Sequence, residues 1–561
     1  MENRALLAVV VSLLILLAYQ TFILPHFYPS LSDGRPSTEQ AADTQQAPLL
    51  PADDTTSSTE TAENAPPQPA APEQLVTIET DWFNAVLSSL GGRIKAFHLK
   101  GYRTSVDPNS SFQDLIVPSS NLQFPFGVEL RGRGGSGAAG NLVTASDADA
   151  AYTIEGPATL NLQGEETGRV ALVWPGPFGS IRKTFEFSGA AHDISVNLDI
   201  SGAPSPYSEA AVTWEVPTEG KLHGTREVLF DHTVFMTNGK FVTDTFDSSG
   251  LKEGKFIPEP GEPPVDLAWA GLAGRHFLVA LMPIDAPNLS LWLKKRDHDV
   301  TAKLLYPLEE GRLEGHLSLY IGAKQVATLE QVGHRLERTI DLGYFSFIGF
   351  PLLWALRLSH RLTSNYGIDI ILLTVVIKIL FLPLTQKSFE TMRAMQKLQP
   401  QMAKLREQYK DDQEALNKEM MELYRRHKVN PFGGCVPMLL QFPVFIGLYQ
   451  ALMNAVELRH APFFLWIDDL SAPDRLGSIQ LPFVEHAGIP VLTVFMGASM
   501  LAQQWMTPPA GDPAQQRVMM LMPLLFTFVF VNFPSGLVLY WLVNNVLTIA
   551  QQYYISRSQA A

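Results

Sequence analysis

The segment LLTVVIKILFLPLTQKS, residues 372–388, places one lysine inside an apolar run of 17 residues that starts at Ile368. A lysine at the centre of a bilayer costs about 2.5–3.5 kcal/mol on insertion scales. Lys378 is the eleventh residue of the run, so its side chain is far from either membrane surface. Either an acid neutralises this charge or water reaches it.

The apolar segments of the chain offer this lysine almost nothing to pair with. Their only acid is Asp369, nine residues earlier, which lies about 13 Å away on the opposite side of the same helix. We therefore predict that Lys378 faces water held within the membrane. Snorkelling to an interface and a carboxylate that reaches in from a loop are the alternatives. Thr374, one turn earlier, is predicted to extend the polar strip.

Hydrophobic runs along the whole chain predict six membrane spans, since a helix of about 20 residues crosses the hydrocarbon core. The first is an uncleaved anchor at residues 1–24. A cleaved signal peptide is the alternative, but the apolar run is longer than usual and no A-x-A site follows it. The other predicted spans are residues 367–385, 431–454, 489–506, 518–533 and 536–555.

Positive residues in short loops predict the orientation of these spans. Segment 386–430 carries ten Lys+Arg and seven Asp+Glu, whereas segment 455–488 carries two and five. We therefore expect segment 386–430 to be cytoplasmic, together with the loop 507–517, the short tail 556–561 and both termini. Segment 455–488 is then periplasmic.

Between the first two spans the composition changes twice. Residues 25–74 are rich in Pro, Ala, Thr and Gln and predict a flexible linker, because they contain too few large apolar side chains to form a core. Residues 75–340 show short alternating segments such as HDISVNLDI and predict a large antiparallel sandwich. Residues 25–345 hold 24 Lys+Arg and 41 Asp+Glu, a balance of 24 − 41 = −17. That charge argues against nucleic acid as a partner of this domain.

Two further helical elements are predicted beside the spans. Segment 386–430 has apolar residues three and four positions apart and predicts a helical hairpin that turns at Asp411 and Asp412; a solvated connector is the alternative. Residues 345–366 predict an amphipathic helix in the membrane interface, with an extension of the following span as the alternative.

Several residue types in the spans are compatible with a hydrated cavity. Amide side chains recur there, although they serve equally often as contacts between helices; they are Gln441, Gln450, Asn454, Gln503, Gln504, Asn544, Asn545, Gln551 and Gln552. Of 16 methionines, 13 lie between residues 390 and 522, where they provide adaptable apolar contacts or ordinary packing. The scarcity of acids and the lack of histidines in the spans argue against a proton-coupled transporter. The single cysteine, Cys435, excludes a disulfide within the chain and is expected to be a small buried apolar residue.

Long motifs give the chain a family resemblance. The strongest are KVNPFGGCVPMLLQFPVFIGLYQALMNAVELRHAPFFLWIDDLSAPD at residues 428–474 and FPSGLVLYWLVNN at residues 533–545. LFLPLT follows the charged position at residues 380–385, and TDWFNAVLSSLGGRIKAFHL occupies residues 80–99. The chain resembles the YidC-type membrane protein insertases of Gram-negative bacteria, in the YidC/Oxa/Alb family, over nearly its whole length.

This resemblance implies a polytopic α-helical membrane protein with six spans, a five-helix insertase core and a periplasmic all-β supersandwich domain. In the family a positive residue in a hydrophilic groove receives the polar parts of the incoming chain, and Lys378 occupies that position, where arginine is usual. The predicted groove residues are Lys378, Thr374, Gln441, Tyr540 and Trp541. The hairpin resembles the family's substrate-capturing element, with candidate contacts Met392, Met395, Met402 and Met420.

The implied function is insertion and folding of membrane proteins in the inner membrane, without a cofactor and without enzymatic chemistry. The implied partners are nascent membrane proteins, the Sec translocon, the bilayer and a ribosome, although the chain ends in ISRSQAA without the basic tail of many relatives. Two other classes remain open. A solute transporter would carry small molecules, and a membrane-tethered sugar-binding or epimerising enzyme would depend on residues 75–322 alone.

Overall fold

The computed structural model describes residues 72–117, 123–134, 141–218, 228–259, 262–286, 288–296, 299–410, 412–430, 436–479, 487–506 and 513–558. The predicted anchor, nearly all of the predicted linker and Cys435 lie outside these residues. Within them, a β domain precedes a helical body.

The β domain contains twenty described strands. In chain order they are β1 (Leu75–Glu79), β2 (Phe83–Ser88), β3 (Arg93–Arg103), β4 (Phe112–Asp114), β5 (Gly127–Gly134), β6 (Asn141–Ser146), β7 (Thr153–Glu155), β8 (Thr159–Asn161), β9 (Thr167–Gly176), β10 (Gly179–Ser188), β11 (Asp193–Ser201), β12 (Tyr207–Pro217), β13 (His232–Thr237), β14 (Lys240–Thr245), β15 (Lys255–Ile257), β16 (Leu267–Ala273), β17 (Phe277–Ile284), β18 (Ser290–Arg296), β19 (Asp299–Pro307) and β20 (Leu313–Ala323).

These strands form three sheets with one large apolar core and a second, smaller one to which Leu329, Leu336 and Ile340 contribute. The sheets have the orders β4-β3-β2-β1-β8, β14-β13-β16-β17-β20-β11-β10-β9-β7 and β15-β18-β19-β12-β5-β6. Pairing is antiparallel in the described sheets except between β1 and β8. In β11 the alternate residues Ile194, Val196, Leu198 and Ile200 are buried, because successive side chains of a strand point to opposite faces. This alternation was the basis for predicting a sandwich.

A charged network lies inside the β domain. Lys183 of β10 is fully buried, and its ammonium donates to Asp147 at 2.6 Å and to the carbonyls of Gly91, Gly92 and Phe126 at 2.8–3.1 Å. Burial lowers the pKa of Lys183 to about 8. The other oxygen of Asp147 accepts from Arg93 at 3.2 Å. Each buried charge in this network therefore has an opposite charge beside it.

The described helices follow in chain order. They are α1 (Ser249–Glu253), α2 (Val326–Val332), α3 (Ser346–Thr363), α4 (Tyr366–Gln408), α5 (Gln413–Arg426), α6 (Val436–Asn454), α7 (Val491–Met506), α8 (Pro513–Phe530) and α9 (Ser535–Ser558). The helices α3, α4, α6, α7 and α9 share one apolar core, to which Phe530 of α8 also contributes. Close packing is visible at Gly497 of α7, where a methyl group would lie 2.1 Å from the hydroxyl oxygen of Thr527 in α8.

Helix α4 is the longest element. It begins where the Asn365 side chain accepts from the backbone N–H groups of Gly367 and Ile368, and it continues through Pro383 and Pro400 for 43 residues, about 65 Å. The predicted span and the first helix of the predicted hairpin therefore form one continuous helix, and Asp412 caps the second, α5.

One helix among the described residues, α4, is long and apolar enough to cross a membrane by length and composition, and residues Met519–Phe530 form a shorter apolar helix. The count of six spans therefore stays a prediction. The predicted amphipathic segment at 345–366 corresponds to helix α3. Its exposed side includes Phe347, Trp354 and Leu362.

The segment after α6 joins the β domain to the helical body. Val456 is buried in the core of the β domain. Arg459 donates to the carbonyl of Arg103 at 2.8 Å and to the side chain of Gln113 at 3.2 Å. The β domain is thus held against the residues that leave α6.

Candidate functional site

Lys378 lies between α4 and α9 and is half-buried. Its ammonium donates to the hydroxyl of Thr548 at 2.6 Å and approaches the side-chain oxygen of Asn544 at 3.5 Å. Thr548 in turn donates to the backbone carbonyl of Asn544 at 2.6 Å. Within the described residues no carboxylate forms an ion pair with Lys378. The cation is therefore held by neutral oxygens.

Asp369, the acid on the same helix, is committed elsewhere. It is fully buried and lies 2.9 Å from the Nδ1 of His360, while its other oxygen accepts from the hydroxyl of Thr363 at 2.7 Å. The ring of His360 stacks on Tyr366 at 3.7 Å between centroids. This cluster fastens α3 to the start of α4, and it keeps the Asp369 carboxylate away from Lys378.

Thr374 lies one helical turn before Lys378. Its side chain is buried and donates to the carbonyl of Ile370 at 2.6 Å, in its own helix. The two residues share a face of α4, but the hydroxyl bonds within α4 and not to Lys378.

The other predicted groove residues lie on α6 and α9. The side-chain amide of Gln441 donates to the hydroxyl of Tyr540 at 3.2 Å, and Tyr540 is buried. Trp541, the next residue, meets Phe445 of α6 edge-on at 5.0 Å and packs against Phe526 and Phe530 of α8 at 5.8 and 5.2 Å. Lys378 therefore belongs to the contact between α4 and α9, and Tyr540 belongs to the contact between α6 and α9.

Two other amides of α9 hold it against α7. Asn545 donates to the hydroxyl of Ser499 at 3.0 Å, and Gln552 donates to the carbonyl of Met506 at 2.8 Å. These bonds are contacts between helices, which was the alternative explanation of such amides.

The predicted capture residues lie along the C-terminal half of α4 and on α5. Met402 is buried where α4 meets α5, and its sulfur accepts from the hydroxyl of Tyr424 at 3.8 Å. Met395 and Met420 are half-buried. Met392 lines a cavity of about 200 Å³ where α4 meets the ends of α7 and α9; the other lining residues are Phe389, Arg393, Gln396, Met506, Gln552 and Ile555.

Sequence reasoning missed the residue that binds Lys378 most closely. Thr548 lies four residues after Asn544, so both face the same side of α9, and this spacing was the available signal. The polar surface next to Lys378 therefore comes from α9 more than from α4.

Comparisons with known proteins agree with this architecture. Residues 358–561 match a family model described as 60Kd inner membrane protein, and residues 75–355 match one described as YidC periplasmic domain. A relative from Syntrophobacter fumaroxidans, described as membrane protein insertase YidC, is 37% identical and covers 99% of this chain and 100% of its own. One from Geobacter sulfurreducens with the same description is 38% identical over 86% of each chain.

Solved structures similar to this chain are more distant in sequence. A structure described as an active YidC insertase with the first transmembrane domain resolved is matched over 86% of this chain and 95% of its own, at 17% identity and a TM-score of 0.37. A putative aldose 1-epimerase from Escherichia coli is matched over 45% of this chain and 99% of its own, at 11% identity and a TM-score of 0.28.

Fold and family models together define a membrane protein with a helical body and a large β domain. The family models and the relatives together cover nearly the whole of it. The chain belongs to the YidC family of membrane protein insertases. The resemblance stated from the sequence motifs is confirmed, and membership implies location in the inner membrane.

Proposed function

We propose that this protein inserts and helps to fold membrane proteins, and that Lys378 receives the polar flank of the incoming chain. The supporting observation is the environment of this lysine. Its partners among the described residues are neutral, so its charge is not cancelled locally. An acid or a carbonyl of a substrate gains more from such a cation than from one already paired with a carboxylate.

The proposed sequence of events follows the positions of the residues. The hairpin of α4 and α5 captures a nascent span through Met392, Met395, Met402 and Met420. The polar flank then enters a hydrophilic groove near Lys378, Thr374, Gln441, Tyr540 and Trp541. The apolar part slides past the aromatic cluster at Trp541 into lipid, and its burial drives the process without bond chemistry. The protein is then an insertase and chaperone and not an enzyme.

The proposed topology has six spans with both termini in the cytoplasm and the β domain in the periplasm. It is supported by the excess of positive residues in segment 386–430 and by the length of α4, which exceeds a bilayer core of about 30 Å by roughly a factor of two. The proposed partners are nascent membrane proteins, the Sec translocon, lipid and a translating ribosome.

Reconstitution tests this proposal directly. Proteoliposomes with the intact protein, with Lys378→Ala or with Lys378→Arg would receive a single-span substrate with a polar flank. Insertion is expected to be efficient with the intact protein, reduced about tenfold or more with Lys378→Ala, and largely restored by Lys378→Arg.

Two further arms separate the competing functions. Absence of insertion by the intact protein, with saturable flux of a small solute instead, would show a transporter. If deletion of residues 75–322 abolished a sugar-converting activity that the helical body did not need, an enzyme in the β domain would be the correct assignment.

A further inference from the structure

Gln551 of α9 has an unusual environment. Its side-chain Oε1 and Nε2 are both buried, and neither finds a hydrogen-bond partner among the described residues. Gln551 lies three residues after Thr548 and seven after Asn544, so all three lie on one face of α9. This is the face that contacts Lys378. Gln551 therefore lies on the same polar face of α9 as Asn544 and Thr548, closer to the C-terminal end of the helix.

A buried carboxamide without partners is costly, because it loses its bonds to water and gains none in return. The neighbouring Gln552 differs, since its side-chain nitrogen donates to the carbonyl of Met506 at 2.8 Å. The face of α9 that carries Asn544 and Thr548 thus holds a buried polar group that a partner would stabilise. A molecule that supplies both a donor and an acceptor to the Gln551 side chain would therefore favour a conformation in which this side chain is accessible.

The chemistry of a carboxamide indicates what that partner is. It offers one N–H donor and one carbonyl acceptor side by side. In an extended polypeptide the N–H and C=O of one residue point to the same side, which is how paired strands exchange two hydrogen bonds. A glutamine can therefore bind one residue of an extended backbone at two points, whatever side chain that residue carries.

The position of Gln551 fits a path for such a backbone. Ile555, one turn further along α9, lines the cavity next to Met392, and Thr548, one turn earlier, binds Lys378. We propose that Gln551 binds the peptide backbone of a substrate's polar flank as it passes from the Met392 cavity to Lys378. This inference rests on the proposed insertase function and adds to it a contact that does not depend on substrate sequence.

Replacement of Gln551 by leucine provides the decisive test. If Gln551 binds a substrate backbone and lacks hydrogen bonds without it, the substitution should improve stability and impair function. We expect Gln551→Leu to raise the unfolding temperature of the purified full-length protein and to slow insertion severalfold. Gln552→Leu is the matched stability control and lowers the unfolding temperature, because it removes a bond that is already formed. A lower unfolding temperature for Gln551→Leu would show a structural role and overturn the inference.

Cross-linking then tests the contact itself. In a Cys435→Ser background, Ile555→Cys is the reporter, and ribosome-stalled substrates carry one cysteine in polar flanks of two unrelated sequences. Disulfide yield is expected to fall severalfold on adding Gln551→Leu, equally for both flanks. An unchanged yield, or a loss with one flank only, contradicts backbone recognition. Insertion by the intact protein in the same vesicles separates these outcomes from a failure of the proposed function.

Discussion

Two lysines, buried Lys183 in the β domain and half-buried Lys378 in the helical body, show how surroundings decide whether a charge is matched within the protein. Lys183 in the β domain has a carboxylate at 2.6 Å and three carbonyls, and Lys378 in the helical body has a hydroxyl at 2.6 Å and a distant amide oxygen. The first has its hydrogen bonds and its counter-charge from the protein. The second lacks a counter-charge among the described residues, which leaves it able to bind one from outside.

The largest expected effect is on stability, from breaking the buried ion pair between Lys183 and Asp147. Lys183→Met leaves Asp147 buried with Arg93 as its remaining cation, and loss of one partner of a buried ion pair costs about 3–5 kcal/mol of unfolding free energy. Thermal and denaturant unfolding of the full-length protein measure this loss. Thr184→Val, on the neighbouring half-buried position, is the control and should change stability little. Equal losses from both variants would mean that the charge network has no special weight.

A third lysine, which is buried like Lys183, sharpens the comparison through pH. Lys324 is buried and donates to the carbonyl of Gly274 at 3.0 Å, and burial lowers its pKa to about 8. The unfolded chain binds this proton up to about pH 10.5, so between pH 8 and 10.5 the unfolded state holds more protons. Its contribution to the free energy of unfolding therefore rises with pH across this window, by up to about 3 kcal/mol.

The difference between the intact protein and Lys324→Met measures this rise. Unfolding of both at pH 7, 8 and 9 should show the intact protein gaining stability relative to the variant as the pH increases. A constant difference would mean that Lys324 keeps its ordinary pKa when folded.

At Lys378, unlike at Lys183, replacement of lysine by methionine is expected to impair insertion and not stability. Lys378→Met removes a half-buried cation that has no counter-ion in the described part of the chain, so the unfolding temperature is expected to stay level or rise. Insertion should nevertheless fall about 10- to 100-fold, the equivalent of a lost charge-assisted hydrogen bond of about 1.5–3 kcal/mol. Unfolding and insertion measured on one preparation would test both parts. A destabilised Lys378→Met would place this lysine with Lys183 as a structural residue.

The smallest expected effect concerns the neutral bond between α6 and α9. Tyr540→Phe removes the acceptor of Gln441 and keeps the ring, at a cost of about 1 kcal/mol in stability. Insertion should fall less than with Lys378→Met. A larger loss of insertion than that variant shows would make Tyr540, and not the cation, the principal contact of the substrate.

The sequence predicted the β domain well because its signal is local. Alternation in β11 marks inward and outward faces without knowledge of the partner strands. The same rule could have revealed Lys183, which shares the inward face of β10 with Ile181, Phe185 and Phe187. A lysine on an otherwise apolar face indicates a buried charge, but its partner Asp147 comes from a different part of the chain and cannot be read from the pattern.

The site was less predictable because it depends on which helices meet. The unusual position of Lys378 followed from hydropathy, yet its contact with Thr548 requires α4 to pack on α9, 170 residues later in the chain. The continuity of α4 was also not predicted. The change from apolar to charged residues near residue 386 suggests the end of one helix, but α4 continues through it. Gln551 was one of several amides until packing showed which of them bond to neighbouring helices.

Because α4 is continuous, a bend at one point would move all of the helix beyond it. A helix bends most easily where proline removes a backbone hydrogen bond, and Pro383 lies about 7.5 Å along the axis from Lys378, on the side of the hairpin. A swing of 10° about that point would move the far end of the helix, near Gln408, by about 6–7 Å. The hairpin of α4 and α5 can therefore change position by several ångströms while Lys378 keeps its contact with α9.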